Sequence, residues 1–487
     1  MSSSDTARPV HRRLVLAICC LSVGVTGINL SIVNVALPSI SRDLHASVSS
    51  LQWTVSTYSL VMACLLLFSG SLADRFGRKR IFQLGLALFA LGSLLSGLAP
   101  SVGWLILFAG LQGVGGSMLN PVAMSIVVSV FTDRRERARA IGLWGSVIGI
   151  TIAIGPVLGG LLVSGVNWRS VYLVNVPVGI VAILLARRFV PESRAARARA
   201  FDPPGQALIV VLFASIIAAT IEGPRQGWAD PWIVGLIVLA VLAFVGLLAV
   251  EPRRSEPLID LRFFRSPPFS GANTISVVMS AGLGGFLFLN TLYLQDVRHE
   301  SPLRAGLMIV PMAVAQAVAA NLSGRLVASR GARPPLVLGG ALLALGGFSL
   351  VALTARTPGA YLLAAYALFG LGVGMISPPI TNTAVSGLPP DQVGVAGALA
   401  ASARQFGASI GVAVTGSIVA GADFIDASHT AWALLGACGV AVLALGIVST
   451  SGWARSVAAR NGQRLAPPSP GSITSITPST SSRGSSG

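Results

Sequence analysis

What most constrains this chain is the regular return of apolar runs long enough to cross a bilayer. A helix needs about 20 mostly apolar residues to span the hydrocarbon core, and runs of that kind fall near 14–38, 50–72, 81–99, 102–130, 138–164 and 170–189. Two more follow near 204–222 and 231–250, then six near 268–294, 303–327, 335–354, 359–386, 393–420 and 428–450. The expectation is an all-α integral membrane protein of fourteen spans. It is organised as an N-terminus (1–13), a six-helix half (14–190), two linker helices (204–250), a second six-helix half (268–450) and a tail (451–487). The tail, rich in Ser, Thr, Pro and Gly from about Ala466, is expected to be disordered.

Only 10% of the 487 residues are charged, against about 25% in a soluble domain, so the solvent of this chain is mostly lipid. The net charge of +17 does not indicate a nucleic-acid binder. The basic residues lie scattered over short loops, not gathered into a stripe with interleaved aromatics. With the N-terminus placed in the cytoplasm, the cytoplasmic segments hold 27 Lys and Arg, the outer loops six, and Arg404 stays inside a span. That is the positive-inside bias, and it expects a cell-membrane protein with both termini cytoplasmic. Trp53, Trp104, Trp168, Trp228 and Trp432 sit near the outer span ends, where indoles favour the interface. The first apolar run is too long for a signal-peptide core and reads as an uncleaved helix. Cys19, Cys20, Cys64 and Cys438 lie inside apolar spans without metal-ligand spacing. No nucleophile–base constellation, metal cluster, cofactor motif or ATP-binding Gly-rich loop is present, so neither an enzyme nor ATP drive within this chain is expected.

The six-two-six grouping carries a repeat. Gly70-Ser-Leu-Ala-Asp-Arg-Phe-Gly-Arg-Lys-Arg80 and Gly324-Arg-Leu-Val-Ala-Ser-Arg-Gly-Ala-Arg333 occupy corresponding loops of the two groups. Internal repeats of this kind mark transporters that alternate access by rocking one half against the other. On these residues the chain resembles the major facilitator superfamily, specifically its fourteen-span drug:proton antiporters, from about residue 14 to 450. Gly142, Gly155-Pro156 and Gly159-Gly160 match the antiporter motif of span five, with Thr151 where the motif has Gly. Asn34-Val-Ala-Leu-Pro38, Gln52-Trp53, Trp168-Arg169, Asn175-Val-Pro177, Tyr293-Leu-Gln295 and Arg404-Gln405 resemble further landmarks of that group.

The resemblance implies that Gly70, Asp74, Arg75, Gly77 and Arg78 form a latch between the halves. A carboxylate at Asp74 can accept from the exposed N–H groups of an opposing helix N-terminus. It implies a role in conformational switching for the span-five motif, and it favours export. Polar residues inside spans are costly and therefore informative. Ser22, Thr26 and Asn29 share a face of span one; Gln52 and Tyr58 lie on span two, Gln112 and Asn120 on span four, and Arg404 on span thirteen. With Asn34 and Gln405, they are the candidates for a substrate cavity or a coupling site.

One departure matters. The family pattern has an acid in span one, where this chain has Asn29, and an Arg in span four, where it has Ala109. Their depths match, and removing both members of a buried ion pair avoids stranding one charge, which costs about 3–5 kcal/mol. Asn29 cannot titrate, which leaves Glu222, Asp296, Asp423, His45 and His299, all at span edges, as alternatives for a proton site. The expected function is export of small amphipathic or antibiotic-like molecules by a monomer, coupled to the proton-motive force. The alternatives are potential-driven or uniport export of an anion, uptake of a polar nutrient, and a transport-dead sensor on the same fold.

Overall fold

The computed structural model describes residues 11–194, 201–254, 256–385, 393–420 and 423–465, and among these the chain is helical, without a strand. The first six expected spans become α1 (Arg12–Leu44), α2 (Val48–Phe76), α3 (Arg78–Gly97), α4 (Val102–Val130), α5 (Arg134–Gly165) and the pair α6 (Ser170–Leu173) and α7 (Asn175–Phe189). The linker spans are α8 (Pro203–Gln226) and α9 (Pro231–Val250). The second half comprises α10 (Pro267–Leu292), α11 (Pro302–Met308) with α12 (Val310–Arg330), α13 (Arg333–Ser349), α14 (Gly359–Val385), α15 (Val393–Val419) and α16 (Phe424–Ser449). The segment expected to be an unstructured tail instead begins with a helix, α17 (Gly452–Leu465), whose Ala454 and Ala458 are buried. Residues 466–487 lie outside the described residues.

Eleven spans among the described residues are long and apolar enough to cross a membrane. The other three expected spans are also helical. α5 contributes the shorter apolar stretch Ile154–Gly165, α13 has 17 residues, and α15 carries Ser402, Arg404, Gln405 and Ser409. Local chemistry sets the boundaries. Gly77 turns the chain between α2 and α3 at φ 107°, which a side chain would resist. The aspartates at 133, 202, 230 and 423 accept from the first free N–H groups of α5, α8, α9 and α16. Spans six and ten are each broken once, after Leu173 and Met308. Pro177 and Pro311 follow these breaks by four and three residues and remove a backbone donor from the helical ladder there.

The packing repeats between the halves. In the first, α1 packs on α5, α4 and α7, α2 on α4, and α3 on α4 and α7; in the second, α10 packs on α15, α14 and α16, α12 on α14, and α13 on α14 and α16. The contacts between halves repeat too. α2 lies along α15, and α5, the counterpart of α15, lies along α11 and α12, the counterparts of α2. α8 rests on α2 and α15, and α9 packs on α8. Two expected interface tryptophans are instead buried: Trp432 in the second-half core, and Trp168, whose Nε1 donates to Asp43 at 2.8 Å. Trp104 and Trp228 are exposed at their helix ends.

Candidate functional site

Asn29 stands at the centre of a buried amide cluster in the first half. Its Nδ2 donates to Gln112 Oε1 at 3.2 Å, while Gln112 Nε2 returns a bond to Asn29 Oδ1 at 3.1 Å and also reaches Ser93 Oγ. Asn175, placed just beyond the break in span six, donates to both Asn29 and Ser93 at 3.4 Å. Four helices are thus joined by neutral groups, which satisfy one another without the desolvation penalty of ions.

Ala109, matched to Asn29 in depth by counting along the spans, lines one small cavity with it, together with Tyr58, Gln112, Thr54 and Tyr172. About 20 Å³ of that cavity is open to the centre of a water-sized sphere, room for one water. The Tyr58 and Tyr172 hydroxyls are buried there without a hydrogen-bond partner. Ser22 and Thr26, on the same stripe of α1, donate back to Cys19 and Val23 carbonyls of their own helix. Asn34 does likewise to Leu30, leaving its Oδ1 unpartnered, and Asn120 Oδ1 is also buried without a partner.

The glycine motif of α5 looks two ways. A Cβ on Gly155 would collide with Ser31 of α1, and one on Gly159 would stand 2.9 Å from the Ile32 side chain and 3.0 Å from its carbonyl. A Cβ on Gly160 would stand 2.6 Å from Leu303 Cα and Pro302 O in the other half, and the Pro156 carbonyl abuts Gly306 of α11. The small residues therefore let α5 touch its own half and the opposing one at once. A Cβ on Gly142, by contrast, would meet no atom of the described residues within 4 Å. Where the family motif has its middle Gly, the Thr151 side chain fills room left by Gly24 and Gly27 of α1.

The second contact between halves is polar. Gln52 Nε2 donates to the Ala413 carbonyl at 2.7 Å and to that of Val412 at 3.3 Å; Ser56 and Ser409 exchange hydroxyl-to-carbonyl bonds at 3.3 and 3.1 Å. Gln405 Nε2 approaches Met62 Sδ at 3.6 Å, and Gln295 Nε2 donates to the Val35 carbonyl at 2.9 Å. These contacts, like those of α5, favour the end of the bundle away from the Gly70–Arg80 loop. Arg404 forms no ion pair among the described residues. It lies on α15 between the positions that meet α10 (Gly407, Gly411) and those that meet α2 (Ser402, Ser409).

In the loop motif, Asp74 pairs with Arg78 at 3.1 Å, one turn along. Arg75 lies over the rings of Phe76 and Phe201, and Gly70 faces open space. The segment 386–392, which precedes α15, lies outside the described residues. Sequence reasoning missed Glu192. Its Oε1 accepts from Lys79 N at 3.1 Å, its Oε2 meets Arg80 at 3.7 Å, and Arg78 N donates to the neighbouring Ser193 carbonyl. A lone acid in the basic stretch after span six was the available signal. Among the edge acids, Glu222 accepts from Ser49 at 3.0 Å and from Trp53 Nε1 at 2.9 Å, which ties α8 to α2.

A larger apolar groove of about 810 Å³ is walled by α1, α5 and α7, with Arg13 at one end and Thr151 and Asn175 among its lining. None of its walls comes from the second half.

Comparison with known proteins agrees with this architecture. Residues 19–412 match the model of the Major Facilitator Superfamily. The multidrug resistance protein Stp of Mycobacterium tuberculosis is 37% identical over 84% of this chain and 77% of its own. The tetracenomycin C resistance and export protein of Streptomyces glaucescens is 36% identical over 86% and 77%, and the puromycin resistance protein pur8 of Streptomyces alboniger 37% over 80% and 78%. Among solved structures, a point mutant of the nucleoside transporter NupG superposes with a TM-score of 0.63 at 12% identity, covering 90% of this chain and 100% of that one. The relatives carry drug-resistance and export names, and the chain belongs to the major facilitator superfamily, a family of transporters and not of enzymes.

Proposed function

We propose that this protein exports amphipathic, antibiotic-like molecules across the cytoplasmic membrane by alternating access, acting as a monomer of fourteen spans with both termini in the cytoplasm. The observation that carries the reading is the paired contact between halves. α5 on α11–α12 and α2 on α15 are related by the internal repeat, an arrangement that lets two rigid halves rock about a shared seam. The bias of Lys and Arg supports the orientation. It makes the Gly70–Arg80 end cytoplasmic and the packed end of the seam external. The resistance and export names of the relatives support the direction and the class of substrate.

Export is driven by the proton-motive force, but not through span one, because Asn29 carries no titrating group and its neighbours are neutral. A second reading is favoured by Arg404, which lacks an ionic partner among the described residues. An anionic substrate would be expelled by the membrane potential, worth about 2.3 kcal/mol per charge per 100 mV.

A drug-susceptibility panel in a strain stripped of its own pumps tests the export reading; no protection against any compound would overturn it. Asp74→Asn should reach the membrane yet lose most of the protection, and full protection would remove the latch role. Vesicles with the proton gradient collapsed and the potential kept decide between the two drives. Continued export there supports the anion reading, and loss supports protons.

A further inference from the structure

We propose that Asp202 and Glu251 form a buried carboxyl pair that binds one proton and thereby holds a clasp across the two halves, at the end of the bundle carrying the Gly70–Arg80 loop. Asp202 caps α8: its Oδ1 accepts from Gly205 N at 3.1 Å and its Oδ2 from Leu258 N at 3.3 Å. Glu251 is the first residue beyond α9, and its Oε2 accepts from Ile259 N at 3.3 Å. Both side chains are shut away from solvent, with Glu251 1% and Asp202 7% exposed. Among the described residues, Glu251 Oε1 has no hydrogen-bond partner.

That orphaned oxygen does not point at random. A Cβ on Gly205 would collide with both Glu251 Oε1 and Asp202 Oδ2, so the two oxygens crowd the same glycine. The charged groups around them are few. Arg254 Nε stands 3.6 Å from Asp202 Oδ1 and is half exposed. Arg253 turns back to the Ala249 carbonyl, and Asp260 is engaged by Arg262 at 2.7 Å. α8 itself contributes no cation there. Among the described residues, one cation thus serves two buried acids. Two like charges so placed favour a shared proton, and a proton on Glu251 Oε1 would donate to Asp202 Oδ2, satisfying the orphan.

The pair joins segments anchored on different parts of the molecule. Phe201, next to Asp202, packs on Phe68 and Phe76 of α2 at ring distances of 5.5 and 6.5 Å, with the Arg75 guanidinium 5.0 Å above it. Ile259 and Phe263 pack with Phe269 of α10, Ala396 and Leu399 of α15, and Leu67 of α2. With the proton bound, the 258–263 segment is held to the start of α8 and the clasp is closed. When the proton leaves to water at that face, the two carboxylates repel and move apart; adjacent Leu258 and Ile259, which bond one acid each, cannot follow both, and the halves are freer to part there. The export reading enters only in naming this face cytoplasmic.

The test uses the full-length protein in lipid nanodiscs and needs no substrate. Infrared difference spectra across a pH titration should show a protonated carboxylic C=O band that disappears as pH rises. Glu251→Gln should remove it. A band unchanged by that substitution, or absent throughout the wild type, overturns the proposal. Hydrogen exchange over 256–265, corrected for its intrinsic pH dependence, should rise about tenfold in the wild type once the band is lost. In Glu251→Gln, which mimics the protonated acid, it should stay low at all pH. Equal pH dependence in both proteins overturns the clasp. Should Glu251→Gln fail to fold, Asp202→Asn takes its place: with the neighbouring charge gone, the band should vanish at a lower pH than in the wild type and exchange over 256–265 should stay low, and an unchanged pH dependence of both overturns the proposal. A protein that shows the band yet exports nothing would sink the export reading and leave this one standing.

Discussion

The two halves share one packing plan but fill it with different chemistry. Where α1 crosses α4 in the first half, the space holds the Asn29–Gln112–Asn175 amides and a cavity the size of a water. Where α10 crosses α14 in the second, Phe286 stacks on Phe369 at 4.6 Å, with Tyr366 and Trp432 edge-on at 5.3 and 5.9 Å. A polar link there runs from the Tyr366 hydroxyl to Asn290, at the edge of the ring cluster. The aromatic half gains its cohesion from dense, non-directional contact, which resists rearrangement. The amide half depends on directional bonds that can be exchanged at small net cost. One half is therefore suited to serve as a rigid frame, and the other to adjust its interior as a transport cycle proceeds.

The largest expected effect comes from breaking the frame. Phe286→Ala should destabilise the protein by about 3–5 kcal/mol, read as a fall in melting temperature and folded yield in detergent; a near-neutral result would end the distinction between the halves. Next is Asn29→Asp, which keeps the shape but buries a carboxylate with no cation beside it, a loss of up to about 3–5 kcal/mol. Adding Ala109→Arg should not restore stability, because the cavity between them has room for one water and not for a guanidinium. Full recovery in the double variant would show that Tyr58 and Tyr172 give way easily. Gln112→Ala should cost about 1–3 kcal/mol by stranding Asn29 and Ser93. Smallest is Tyr58→Phe, which removes a hydroxyl without a protein partner and should shift stability by less than about 1 kcal/mol. A larger loss would indicate a water bridging that hydroxyl to the amides.

Much of the fold was legible because lipid imposes a single rule, an apolar run of helix-spanning length, that eleven spans among the described residues satisfy locally. Asn29 and Ala109 could also be paired in advance, since depth along a span follows from counting residues. What stayed hidden depends on distant partners. Glu192 reads as a loop charge until the chain brings it to Lys79, 113 residues away. Asp202 and Glu251 each read as an ordinary acid at a helix end, and neither shows that both will border Gly205. The substitution of Thr for Gly at position 151 looked like a lapse in a motif, because its compensation sits on another helix. Trp168 and Trp432 were misplaced at the lipid interface for a related reason. An indole near a span end is as well served by a hydrogen-bond partner such as Asp43, or by an aromatic core, as by headgroups.

Thr151 also bears on how such a protein can be recombined. The Thr151 side chain on α5 occupies the room that Gly24 and Gly27 leave on α1. The two helices therefore form a matched set. A chimera whose α5 carried Gly at position 151 would open a gap against α1, and one whose α1 carried larger residues at positions 24 and 27 would press side chains into Thr151. Crossovers that keep residues 12–165 from a single parent preserve that fit, and the first five helices of this fold are expected to be inherited, and exchanged, together.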